Sequence, residues 1–227
     1  MNKGENHSFS FLALVFVVLI SLLLLHVWGV KSLTVEAESF LNVFGSHTSE
    51  QTPQWKATKG LYGGSISKLL VNGTRLFACV EDRGVFTSND SGQTWKEINN
   101  GLIDLDVVDL AISGNNLFAG TRRHFTGGVF WSTDNGQTWT NVSITNLSTN
   151  EYNIYTRALI ISGGNLFAGT SHGIYASNNN GQTWTPFNNG LPSLNVYDLA
   201  VNGDNLFAVV GNEVYYSTDS GQNWKWA

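Results

Sequence analysis

One eight-residue phrase is written four times and constrains the fold more than any other feature of the chain. It reads SNDSGQTW at 88–95, STDNGQTW at 132–139, SNNNGQTW at 177–184 and STDSGQNW at 217–224. The four tryptophans stand 44, 45 and 40 residues apart. Self-similarity at that period marks a repeat architecture, and strand-like filling at this length matches a four-stranded propeller blade. The intervening segments repeat too. A run such as DVVDLAISG leads to Leu-Phe-Ala, at 76–78, 117–119, 166–168 and 206–208. A variable turn follows, then a short alternating strand (GVFTS, GVFWS, GIYAS, EVYYS), then the phrase, then a tryptophan-led segment. Runs of β-branched and aromatic residues bounded by Gly, Asn and Asp are strands joined by hairpins. The expected strands are A (LAIS), B (LFAG), C (GVF) and D (TW onward), with A and B the most buried.

The chemistry of the phrase is structural. It spans the C-to-D turn. Ser hydroxyls and the carboxylates of Asp90, Asp134 and Asp219 are expected to accept from backbone amides two residues on. Gly92, Gly136, Gly181 and Gly221 supply positive φ, and Trp95, Trp139, Trp184 and Trp224 bury large rings between strands. The third copy separates this from catalysis. Asn179 replaces the aspartate, and its amide oxygen still builds the turn, whereas a catalytic or metal-binding carboxylate is lost.

The repeated S-x-D-x-G-x-T-W resembles the Asp-box, or bacterial neuraminidase repeat, of sialidase-type propellers. The flanking L-F-A-G-T, G-V-F-x-S-T-D-x-G-Q-T-W and N-x-G-L grammar resembles exported bacterial repeat proteins, xyloglucan-degrading glycosidases and photosystem II assembly factors. The resemblance covers about residues 54–227 and implies an all-β, propeller-like array of four Asp-box blades. The box is shared by hydrolases, receptors and assembly factors, so it transfers no activity. Sialidases of this kind carry an arginine triad, a tyrosine nucleophile with a glutamate, an aspartate and an Arg-Ile-Pro segment. Here the prolines are Pro53, Pro186 and Pro192, and none follows Arg-Ile. The arginines are Arg75, Arg83, Arg122, Arg123 and Arg157. Glu81, Asp82, Asp104 and Asp106 are the acids available for paired-carboxylate hydrolysis. The leading expectation is a binding or scaffold module with no catalytic residue and no enzyme activity, with a sialidase- or xyloglucanase-like glycoside hydrolase and an assembly factor for a membrane complex as the rivals.

Charged residues are scarce and the net charge is −5, which offers nucleic acid nothing to hold. His47, His124 and His172 share no ligand spacing, so neither metal nor cofactor is expected. Cys79 is the only cysteine and lies in LFACV, where it reads as a small buried hydrophobe. Residues 11–25 hold one polar residue in fifteen. Residues 1–37 therefore read as a signal peptide or signal anchor, one N-terminal hydrophobic helix with an apolar span at 11–30, and 38–53 as a linker. Either reading puts the propeller outside the cytoplasm, secreted or anchored, with membrane contact only through an uncleaved helix.

In a propeller the B–C turns and D–A connections share one rim and the boxes occupy the other. Unit two has the longest variable turns, and insertions on one face of a repeat array mark the binding side. Arg122, Arg123, His124, Phe125, Tyr152 and Tyr155 are the expected binding residues, presented to a glycan or a protein partner. The array is either a closed four-blade ring, an arc completed by self-association, or a fragment. The final D strand reads as cut short, and Trp55–Thr58, written as a lone D strand, suits its completion.

Overall fold

The computed structural model divides into two units, Met1–Lys56 and Ala57–Ala227. It describes residues 61, 64–123, 126–144 and 154–227. The expectations for 1–37, for 38–53 and for the lone strand at 55–58 fall outside the described residues. Among the described residues no helix is long and apolar enough to cross a membrane.

The described chain is all β, in four four-stranded antiparallel sheets, each built from consecutive strands. Blade 1 holds β1 (Ile66–Asn72), β2 (Arg75–Val80), β3 (Gly84–Ser88) and β4 (Lys96–Glu97). Blade 2 holds β5 (Val107–Ser113), β6 (Asn116–Thr121), β7 (Gly128–Ser132) and β8 (Thr140–Asn141). Blade 3 holds β9 (Thr156–Ser162), β10 (Asn165–Thr170), β11 (Gly173–Ser177) and β12 (Thr185–Pro186). Blade 4 holds β13 (Val196–Asn202), β14 (Asn205–Val210), β15 (Glu213–Ser217) and β16 (Lys225–Trp226). These are the expected A, B, C and D strands in order.

Local chemistry explains the repetition. Each A–B hairpin pairs the residues that flank a two-residue turn, as Asn72 with Arg75 and Ser113 with Asn116. The first turn residue is Gly73, Gly114, Gly163 or Gly203, with φ of 55–60°, which glycine adopts at no steric cost. Every A strand also carries a bulge near its start, where Ser67, Val108, Arg157 and Tyr197 have no opposite number. A bulge re-aims a side chain away from the pleat.

The core lies between successive blades. In blades 1 to 3 the phenylalanine of the Leu-Phe-Ala triplet points at the following blade, and in blades 2 to 4 the leucine points at the preceding one. Phe77 thus packs with Val107, Leu110 and Leu117, Phe118 with Leu159 and Leu166, and Phe167 with Val196, Leu199 and Leu206. Each fully buried ring contributes roughly 1.5–3 kcal/mol. Two expectations are corrected. The most buried strands are B and C, since they are central in each sheet while A and D are its edges: β3 and β11 are buried throughout, whereas β1 is largely exposed. The last D strand is not short relative to its siblings. β16 has two residues, as do β4, β8 and β12, and pairs with β15 through Tyr215–Trp226 and Tyr216–Lys225. Cys79 is buried, and burial pushes its thiol pKa up.

Candidate functional site

The four boxes come first, since their geometry decides whether they are chemistry or scaffold. In box one, Ser88 Oγ donates to Asp90 Oδ1 (2.7 Å) and accepts from Gly92 N–H (2.9 Å). Asp90 Oδ1 accepts from Thr94 N–H at 2.9 Å. Boxes two and four repeat this with Ser132, Asp134 and Thr138, and with Ser217, Asp219 and Asn223. In box three Asn179 Oδ1 accepts from Ser177 Oγ and from Thr183 N–H, each at 2.9 Å. Each serine hydroxyl also accepts the expected N–H two residues on, at 3.3–3.4 Å, but the shorter bonds reach four residues on. The loop is longer because two consecutive residues are left-handed: Ser91, Asn135, Asn180 and Ser220 at φ 58–59°, then the glycines at 82–86°. Hydrogen bonds from the Thr94, Thr138 and Asn223 side chains hold Asp90, Asp134 and Asp219 down at about 2. Each acid is locked to its own loop.

The box tryptophans do something the sequence did not reveal. Trp139 Nε1 donates to Ile98 O of blade 1 (2.7 Å), Trp184 Nε1 to Val142 O after β8 (2.8 Å), and Trp224 Nε1 to Phe187 O after β12 (2.9 Å). Each blade is pinned to the one before it. Trp139 N–H also donates to Asn100 O, and Trp224 N–H to Asn189 O. A Cβ on Gly101 or Gly190 would stand 2.2 Å from Trp139 O or Trp224 O. The N-x-G-L motif is therefore the socket for the next tryptophan. Trp95, in the first box, donates instead to Gly92 O of its own loop.

The expected binding rim is a polar cluster. Arg122 and Arg123 follow β6 in the B–C turn of blade 2. Arg122 Nε donates to Asp106 Oδ2 and its Nη2 to Glu81 Oε1, both at 3.0 Å. The Asp106 hydrogen bond, the largest influence, pushes the Arg122 guanidinium up from its ordinary value. Arg123 pairs with Asp82, and its Nε lies 3.7 Å from Asp104 Oδ1. Asp104 is buried and accepts from the backbone N–H groups of Arg123 and Asp106, each at 2.9 Å, so it fixes the loop. The acids offered for hydrolysis are thus all paired with these two arginines. One oxygen stands apart: Asp106 Oδ1 is buried and accepts no hydrogen bond.

Tyr155 comes to the same place. Its carbonyl accepts from Ser171 N–H (3.1 Å) and its N–H donates to Ser171 Oγ (3.2 Å), which lies 2.9 Å from His172 Nδ1. Arg157, turned out by the β9 bulge, was not among the expected binding residues. It donates to Asn195 Oδ1 (2.5 Å) and Val196 O (2.9 Å), and stacks 4.6 Å from the centre of the Tyr197 ring. Its signal, a long cation at a bulged position, is visible only once the register is known. Asp106, Arg122, Arg123, Tyr155 and Arg157 line an open cleft of about 380 Å³, within the range of small-ligand sites. Three cations meet four carboxylates there, so the cleft is polar without a strong net field. His124, Phe125 and Tyr152 lie outside the described residues. Among the described residues no group of His, Cys, Asp and Glu is placed to hold a metal.

A family model described as the DUF6242 beta propeller domain matches residues 32–225. No curated protein matches the chain. Solved structures do. The xyloglucanase of family GH74 from Xanthomonas campestris has a TM-score of 0.56 at 16% identity, over 76% of this chain and 32% of that one. The extracellular domain of BT4673 from B. thetaiotaomicron has a TM-score of 0.60 at 14% identity, over 76% and 23%. YCF48 from Cyanidioschyzon merolae has a TM-score of 0.51 at 15% identity, over 71% and 55%. This chain spans well under two thirds of each of those proteins, and at such identities the likeness is one of fold.

Proposed function

The chain belongs to the DUF6242 beta propeller domain family, and from that premise we propose that it is an exported, non-catalytic binding module whose rim cleft takes an uncharged glycan. The observation that carries this is the pairing state of the cleft. Arg122 and Arg123 are already bound to Glu81, Asp82, Asp104 and Asp106, so an acidic ligand has to displace a carboxylate that each arginine holds. Asp106 lines the cleft, and its Oδ1 has no hydrogen bond; that oxygen is buried, so a donating ligand meets it only as the lining side chains shift. A neutral sugar offers hydroxyl donors, and Tyr155 lines the cleft beside Asp106. The four boxes support reading the blades as the Asp-box repeats of sialidase-type propellers. Glycoside hydrolysis is disfavoured because it needs one carboxyl to give a proton, while these carboxylates sit on arginines. One neighbour in fold is named a xyloglucanase, which makes xyloglucan oligosaccharides a reasonable first probe.

The test is calorimetric titration of the full chain with xyloglucan oligosaccharides, neutral manno- and cello-oligosaccharides, and sialyllactose. Binding of a neutral oligosaccharide, weakened at least tenfold by Tyr155→Ala and by Asp106→Ala, is the expected result. Preference for sialyllactose, or turnover of any glycoside at a rate abolished by Asp106→Ala, overturns the reading. A protein partner is the alternative occupant, and silence across all the sugars favours it.

A further inference from the structure

Of the three arginines that line the rim cleft, one keeps a hydrogen-bonding edge that nothing occupies. A guanidinium presents Nε–H and one Nη2–H side by side, a fork that matches two neighbouring oxygens. Arg122 has committed that edge to acids, Nε to Asp106 and Nη2 to Glu81. Arg123 sets Nη2 on Asp82, with Nε 3.7 Å from Asp104 Oδ1. Arg157 differs. Its Nη1 donates to Asn195 Oδ1 and to Val196 O, while its Nε and Nη2 have no acceptor among the described residues. Arg157 is half-buried and lines the same cleft as Asp106 and Tyr155.

The fold does not require an arginine at this position. Arg157 is the bulged residue of β9, and its counterparts are Ser67, Val108 and Tyr197. Ser67 Oγ donates to Val107 O, the first A-strand residue of the next blade, at 2.8 Å. Arg157 Nη1 makes the same forward bond to Val196 O at 2.9 Å. A serine therefore meets the need of the junction, and Val108 has no donor to make the bond at all. What arginine adds is reach, a charge and the free fork. The fork is also held still. Asn195 accepts from Nη1 through Oδ1, while its Nδ2 donates to Tyr197 Oη at 2.8 Å, and the guanidinium carbon stands 4.6 Å from the centre of the Tyr197 ring. A side chain braced in this way loses little freedom when it binds.

We propose that this edge of Arg157 orients the ligand of the rim cleft by donating to two adjacent hydroxyls on an internal unit of a neutral glycan, which rests on the glycan reading above. A carboxylate is the other group that fits such a fork. Here Arg122, Arg123 and Arg157 stand among Glu81, Asp82, Asp104 and Asp106, so the acids outnumber the arginines and the rim offers an anion no net attraction. A pair of neighbouring hydroxyls offers the fork the same two acceptor oxygens and carries no charge. The cleft is open, so a chain can lie across it with an internal unit on the fork.

The test is calorimetric titration of the full chain, in detergent, with cellopentaose and laminaripentaose, uncharged glucose oligomers of equal length. Every internal unit of cellopentaose keeps two adjacent free hydroxyls, whereas linkage through the middle ring hydroxyl leaves an internal unit of laminaripentaose none. Cellopentaose is expected to bind the tighter by about tenfold or more. Arg157→Ser can keep the forward bond as Ser67 does, and Arg157→Lys keeps the charge without the fork. Each is expected to weaken cellopentaose by about tenfold or more and to erase the preference, with circular dichroism unchanged. Equal affinity of the native chain for the two oligomers overturns the proposal, as does native affinity in Arg157→Lys. Cellopentaose binding unmoved by Arg157→Ser but weakened by Asp106→Ala overturns it and leaves the glycan reading standing. Sialyllactose bound more tightly than either oligomer, or no sugar bound at all, overturns both.

Discussion

Replacing Trp139 by phenylalanine should damage the array more than the same change at Trp95, though both occupy the same place in the same phrase. Trp139 is buried, and its Nε1–H is bonded to Ile98 O of the preceding blade. Phenylalanine leaves that buried carbonyl without this donor, which costs about 1–3 kcal/mol. The smaller ring gives back some 40 Å² of apolar contact, about another 1 kcal/mol. Trp95 is partly exposed and bonds only to Gly92 O in its own loop. Water replaces that bond, so Trp95→Phe should cost under about 1 kcal/mol. Urea unfolding followed by far-ultraviolet circular dichroism reads the difference. With a slope of roughly 2 kcal/mol per molar urea, the two midpoints should stand about 0.5–2 M apart. Equal midpoints, or a lower one for Trp95→Phe, would refute the view that the tryptophans act between blades.

Three further outcomes follow from the same geometry. Gly101→Ala drives a Cβ into Trp139 O at φ +93° and should cost roughly 3 kcal/mol or more, while Gly114→Ala, at φ +59° with open space around it, should cost about 1–2 kcal/mol by chemical denaturation. The box carboxylates have folded pKa values near 2, below the ordinary 3.8, so their contribution is complete above about pH 4 and is lost as pH falls through 2. The chain carrying Asp90→Asn, Asp134→Asn and Asp219→Asn should therefore show a flatter stability profile between pH 4 and 2 than the native chain. Cys79 should resist a thiol reagent in the folded state and react fully in denaturant, since burial disfavours its thiolate.

Strand identity was readable because it depends on local chemistry. Alternating apolar residues and turn glycines repeat four times, and β6 and β10 carry the same six residues, NLFAGT. The role of the box was readable for the same reason, through the Asn179 copy. Its reach of four residues was not, because the left-handed state of Ser91 or Ser220 leaves no mark in the residue type. The tryptophan–carbonyl bonds were hidden too, since Ile98 and Phe187 show only apolar side chains to a reader of sequence, while the bonded atoms are backbone. At the rim, Arg122 and Arg123 were singled out, but their partners Glu81 and Asp82 stand 41 residues back. That distance is one blade, and only stacking brings the turns together. Arg157 escaped notice because an A strand looked like core until the bulge at its second residue turned the side chain outward.

The pin between blades also sets an order in time. Trp139, Trp184 and Trp224 reach back 41, 42 and 37 residues for their carbonyls, and none reaches forward. During synthesis a blade's last strand waits for the next box to emerge, and at about 5–20 residues per second that wait is a few seconds. The nascent chain can then lock behind itself one unit at a time. No tryptophan pin depends on a residue more than about one repeat away, so assembly resembles the closing of a zip more than the search for a distant partner.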